Sequence, residues 1–128
     1  MSAIQISTAI GNLALGCSTT QADLAWPLAH NPLPSGAVPR FVRIDNTSNS
    51  TGVYVSITPE TETITVPGSS TAGNCFFIAP FSSVTVELIT AGGSVATSAF
   101  NDGAGACVIS GITTDGSAII VVTPVDTI

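Results

Sequence analysis

Lysine is absent from this 128-residue chain, and arginine occurs only as Arg40 and Arg43. Charged residues make up 8% of the sequence, against about 25% in an ordinary soluble domain. The formal net charge is −6. Nucleic-acid affinity rests on clustered cations that displace counterions from phosphates, so no nucleic-acid partner is expected. Histidine occurs once, as His30. The three cysteines Cys17, Cys75 and Cys107 are far apart, which leaves no zinc-site spacing and favours free thiols over bridges. No apolar run reaches the ~20 residues that cross a bilayer, so no membrane partner is expected. With no basic residue before Arg40, the N-terminus does not read as a secretory signal.

What the chain has in place of charge is 15 Ser, 17 Thr and 12 Gly beside 45% hydrophobic residues. Hydroxyl and peptide groups can cover a surface and still be buried in an assembly without desolvating long charged side chains. The composition thus favours a protein that packs against other subunits.

From residue 40 onward, short β-branched and aromatic runs alternate with Gly, Pro, Asn and Asp clusters, the pattern of a sandwich or barrel. In 53–58, Val53, Val55 and Ile57 share one face and Ser56 and Thr58 the other; Val84, Val86 and Leu88 repeat that alternation in 83–88. The continuous apolar runs 74–78 and 118–122 predict central strands covered on both faces, the second of them core. Further strands are expected at 41–45, 64–66, 94–100 and 106–110. The intervening 46–52, 67–73, Gly92-Gly93, Asn101-Asp102-Gly103 and Thr114-Asp115-Gly116 carry turn chemistry. The expectation is all-β, a single β-sandwich or jelly-roll-like domain of about eight short strands.

Residues 1–39 differ in character. Residues 3–9 alternate and could form an edge strand, but Pro27, Pro32, Pro34 and Pro39 remove ladder donors from the rest of this region. We read 1–39 as an extended arm or long loop and 40–128 as the sandwich. The apolar Leu24, Trp26, Leu28, Leu33 and Val38, which have no regular element in which to be buried, are interface candidates. Arg40 and Arg43 join them, because a guanidinium can hold a carboxylate of this chain (Asp45, Glu60 or Glu87) or of a neighbour.

No catalytic, cofactor-binding or metal-binding residue is assigned. His30 lies in a proline-rich stretch with no nucleophile elbow in the chain. Glu60 and Glu62 could face one way as paired carboxylates but suit the guarding of a strand edge. Asp45, Asp102, Asp115 and Asp126 lack calcium-loop spacing and read as turn formers. Asn46-Thr47-Ser48 and Asn49-Ser50-Thr51 match the glycosylation pattern and read as turn residues.

Arg40-Phe41-Val42-Arg43-Ile44-Asp45-Asn46-Thr47 with Val53-Tyr54-Val55 after it resembles the opening of small β-rich proteins of tailed-phage heads. Residues 79–88 and 118–124 resemble that group's later strands, with Phe81-Ser82 where it commonly has a glycine turn and Val125-Asp126 where it commonly has a glycine-rich ending. The resemblance implies a non-enzymatic virion structural protein, a capsid decoration (cement) protein or other small head component. It would bind the major capsid protein in a symmetric assembly, and the unburied apolar side chains of 1–39 lead us to expect a closed homo-oligomer, a trimer foremost. The alternative is a receptor- or carbohydrate-binding sandwich of a fibre or adhesin, with Trp26 or Tyr54 as its aromatic platform.

Overall fold

The computed structural model describes residues 12–26, 41–47, 49–58, 62–87 and 107–125. They form eight strands: β1 (Leu13–Cys17), β2 (Ala22–Trp26), β3 (Phe41–Asp45), β4 (Val53–Thr58), β5 (Phe76–Ile78), β6 (Ser83–Glu87), β7 (Cys107–Ile112) and β8 (Ala118–Val125). One sheet has the order β1-β8-β3-β6, the other β2-β7-β4-β5. All the pairings are antiparallel.

The pairs β4·β5, β3·β6, β2·β7 and β1·β8 are those of one long two-stranded ribbon folded back between β4 and β5. Rolling that ribbon up adds the β3·β8 and β4·β7 ladders and puts alternate segments into opposite sheets. This is the winding of an eight-stranded jelly roll. The fold class expected from the sequence is therefore present.

Strand periodicity fills the space between the sheets. Leu15, Cys17, Val42, Ile44, Ala118, Ile120 and Val122 face inward from the first sheet, and Val53, Val55, Ile78 and Ile109 from the second. Every one is aliphatic or a thiol, so the core packs β-branched surfaces with no large ring at its centre.

Several expectations need correction. Two of the eight strands, β1 and β2, lie within 1–39, so the sandwich does not begin at residue 40. The four prolines of that region all come after Trp26, whereas 13–17 alternate cleanly, with Leu15 and Cys17 buried and Ala14 and Gly16 exposed. Residues 74–78 do not form a central strand. Only Phe76–Ile78 pair, at the end of the sheet order, and Phe77 is 51% exposed. Ile119 belongs to a central strand but faces outward at 61% exposure, because strand alternation turns it away from the side on which Ala118 and Ile120 enter the core.

Residues 64–66 are extended without being a strand. Their backbone is held by side-chain amides, whose planar N–H and C=O imitate a peptide group. Gln21 donates to the Glu62 carbonyl (2.7 Å) and accepts from the Ile64 N–H (2.7 Å). On the opposite edge Asn74 donates to the Thr63 carbonyl (2.9 Å) and accepts from the Thr65 N–H (2.8 Å). The strands expected at 3–9 and 94–100 lie outside the described residues.

Candidate functional site

The loop between β3 and β4, residues 46–52, is built around a buried asparagine. Asn46 is 0% exposed, and its Nδ2 donates to the carbonyls of Thr51 (2.9 Å), Ala79 (3.2 Å) and Ile78 (3.4 Å). Its backbone N–H donates to the Ser82 carbonyl at 2.8 Å. One side chain thereby joins its own loop to the β5–β6 turn, and a buried amide is tolerated because its donors are used.

Asn49 extends the network to the first sheet. Its Nδ2 donates to Asn46 Oδ1 (2.5 Å) and to the Ile119 carbonyl (2.8 Å), and its Oδ1 accepts from the Ile119 N–H (3.2 Å). It is a third amide acting as a strand partner. Reading both sequons as structural turn residues agrees with these bonds.

Phe81 sits in the β5–β6 turn with φ +58°, the one non-glycine residue at positive φ among those described. Its N–H is shared between the carbonyls of Asn49 (3.1 Å) and Asn46 (3.2 Å). The left-handed region crowds Cβ against the carbonyl and costs an L-residue about 1–2 kcal/mol. Phe81 is nonetheless 68% exposed, so its ring gains little from the fold in return.

Phe81, Ile119 and Phe77 are the three exposed large hydrophobic residues of the described chain, and all three border this loop. Phe81 and Ile119 are hydrogen-bonded to it through their backbones. The Phe77 ring lies against Gly52, where any Cβ would collide with it, and leans on Tyr54 with centroids 4.9 Å apart. The segments 46–52, 76–84 and 117–123 contain no charged residue. The three side chains rim a loop without charged residues, Phe77 facing outward from the second sheet and Ile119 from the first, while the exposed Asp115 precedes Gly116, which stands against Thr51.

A second polar cluster lies on the outer face of the other sheet. Asp23, Ser110 and Ser56 are in register across β2, β7 and β4. Ser110 Oγ donates to Asp23 Oδ1 (2.5 Å), and Gln21 Nε2 donates to the same oxygen (2.9 Å). The amide of Gln21 and then the hydroxyl of Ser110 hold the Asp23 carboxyl below its ordinary range. Ser56 Oγ is buried and has no hydrogen-bond partner.

Of the interface candidates read from sequence, Leu24 is half-buried against the core and Trp26 ends β2 opposite Cys107. Arg43 is exposed and pairs with Asp45 at 3.1 Å, one of the internal pairings anticipated. Leu28, Leu33, Val38 and Arg40 lie outside the described residues, as do His30, Glu60, Asp102 and Asp126. Cys17 and Cys75 are free thiols. Among the described residues no three His, Cys, Asp or Glu side chains come together as a metal site would require.

The rim residues were not singled out from sequence. Ile119 and Phe77 sit in continuous apolar runs that read as core. For Phe81 the signal was present, as an aromatic in the place of a turn glycine, but its meaning needed the backbone angle.

The described residues thus form an all-β jelly-roll domain with three exposed apolar side chains around the 46–52 loop. Comparison with protein-family models, curated proteins and solved structures finds no match to this chain.

Proposed function

We propose that this chain is a non-enzymatic structural protein that works by packing against other protein subunits. More narrowly, we propose a phage head component, a capsid decoration protein bound to the major capsid protein in the virion. The observation that carries the reading is the rim of Phe77, Phe81 and Ile119 around an uncharged loop, in a chain of net charge −6. Interface cores are depleted in charge and enriched in aromatic residues. A charge-poor surface of Ser, Thr and Gly beyond the rim adds little desolvation cost when covered.

The narrower reading leans on the sequence resemblance and on analogy with the fold. Jelly rolls build virus coats, but they also build lectins. The exposed rings of Phe77 and Phe81 beside a hydroxyl-rich loop suit a glycan-binding module as a second reading. Against it, the Asn46 and Asn49 amides that would read sugar hydroxyls are spent on the scaffold. Mass spectrometry and cryo-electron microscopy of purified particles test the first reading, which expects symmetric copies on the head. Presence in lysate with none in particles would overturn it, and binding on a glycan array lost in Phe81→Gly would favour the second.

A further inference from the structure

We infer that residues 62–66 form a strap that opens as one unit while both sheets stay folded, with Gln21 as its latch and Asp23 as the residue that positions the latch. The inference is independent of the proposed function, since it concerns how one segment is fastened to the domain.

Among the described residues no ladder includes 62–66. The strap's backbone is held instead by two side-chain posts. Gln21, directly before β2, takes the Glu62 carbonyl and the Ile64 N–H. Asn74, two residues before β5, takes the Thr63 carbonyl and the Thr65 N–H. Both posts are carried by strands that are themselves paired, β2 with β7 and β5 with β4. The one backbone–backbone bond to the strap, from the Asn74 N–H to the Thr65 carbonyl, is long at 3.4 Å.

Such a fastening is weaker than a ladder. Three of the four amide bonds are exposed, so water competes for both partners. Each post must also give up side-chain rotamer freedom that the peptide groups of a ladder do not have. Of the strap's side chains Ile64 is buried and Val66 half-buried, while Glu62, Thr63 and Thr65 are exposed. Exposed hydrogen bonds and little buried apolar surface mark a segment that opens locally, below the free energy of global unfolding.

Asp23 sets the latch. Gln21 Nε2 divides its donation between the Glu62 carbonyl (2.7 Å) and Asp23 Oδ1 (2.9 Å). The same Oδ1 accepts from Ser110 Oγ, which is 0% exposed on β7, an inner strand of the sheet. A carboxylate fixed from below thus orients the Gln21 amide towards the strap, and Asp23 acts on 62–66 through Gln21.

The test is residue-resolved amide hydrogen exchange of the full chain, for wild type, Gln21→Ala, Asn74→Ala, Asp23→Ala and Asp23→Asn. In wild type, Ile64 and Thr65 should exchange at least a hundredfold faster, relative to their unfolded-chain rates, than the ladder amides of β4 and β7. Each post variant is then read at the amide that the other post holds. Gln21→Ala should speed Thr65, and Asn74→Ala should speed Ile64, at least tenfold with β4 and β7 unchanged. Asp23→Ala should also speed Thr65, and Asp23→Asn, whose Oδ1 can still accept from Gln21, should restore wild-type protection. Faster exchange only at the amide whose own acceptor was removed, or an equal gain in β4 and β7, would overturn the inference. Asp23→Ala leaving Thr65 at the wild-type rate would remove Asp23 from it. Wild-type protection at Ile64 and Thr65 equal to that of β4 and β7 would end it outright, and that measurement needs no variant to fold.

Discussion

The sulfur of Cys17 occupies the space that a side chain at Gly111 would need: a Cβ on Gly111 would lie 2.5 Å from Cys17 Sγ. Cys17 points inward from β1, and Gly111 lies in β7 of the facing sheet. A glycine within a strand here marks a close approach between the two layers. Gly111→Ala should destabilise the protein by about 1–3 kcal/mol, as overpacking does. In urea melts the double variant Gly111→Ala, Cys17→Ala should recover most of that loss; additive costs would show that the two sites do not share the space.

The same burial sets an alkaline limit. Burial pushes the Cys17 thiol from 9.0 up to about 11. The folded state therefore holds the proton more tightly than the unfolded chain, so this contribution is complete below pH 9 and is lost as the pH rises towards 11. Wild type should lose more stability over that window than Cys17→Ala does. Parallel pH profiles for the two would show that Cys17 does not titrate with unfolding.

Asn46 is the hydrogen-bonding centre of the rim's scaffold. Asn46→Asp keeps the shape but replaces three donations with a carboxylate facing the carbonyls of Thr51, Ile78 and Ala79. Leaving buried acceptors unmatched and burying a charge among them should cost about 3 kcal/mol or more near neutral pH. Asn49→Asp, at a half-buried position, should cost less. Chemical denaturation of the two variants gives the comparison, and equal costs would place the network's centre elsewhere.

Ser56 makes the opposite prediction. A buried hydroxyl with no partner carries its desolvation cost with no bond in return. Ser56→Ala should raise stability by about 1 kcal/mol, read as a higher denaturant midpoint with an unchanged slope. A loss of stability would mean that a bound water satisfies the hydroxyl.

How much of the fold was legible in the sequence depended on what each residue had to reveal. The period-2 alternation of 53–58 and 83–88 is local and predicted β4 and β6 closely. The turn at Thr114-Asp115-Gly116 was equally plain, and Gly116 does take positive φ. Continuous runs misled, because a run such as Ala118-Ile119-Ile120-Val121-Val122 is the same string whether one face is covered or two. Which loops meet at the end of a rolled ribbon is set by pairings dozens of residues apart, so the convergence of Phe77, Phe81 and Ile119 on Asn49 and Gly52 left no local trace. The amide clamps at 62–66 were hidden for the same reason: Gln21 lies 43 positions from Ile64.

Strands β1 and β2 reverse the expectation that residues 1–39 form an extended arm or long loop outside the sandwich. β1 is hydrogen-bonded along its whole length to β8, from Leu13 opposite Val122 to Cys17 opposite Ala118, and β2 likewise to β7. Leu15 and Cys17 belong to the central core, and Leu13, Ala22 and Leu24 pack against it. Taking away 1–39 would strip one strand from each sheet, expose the inner faces of Ile109, Ile120 and Val122 and unpair two ladders at once. The apolar area alone, at about 25 cal/mol per Å² over several large side chains, amounts to much of the roughly 5–15 kcal/mol by which a domain is stable. A chain beginning at residue 40 should therefore fail to fold, seen as loss of the β signal in circular dichroism and as aggregation. A chain beginning at residue 12 keeps both strands and tests the segment before them separately. If the chain from residue 40 gave a cooperative melt and a wild-type spectrum, β1 and β2 would be dispensable additions to a six-stranded core.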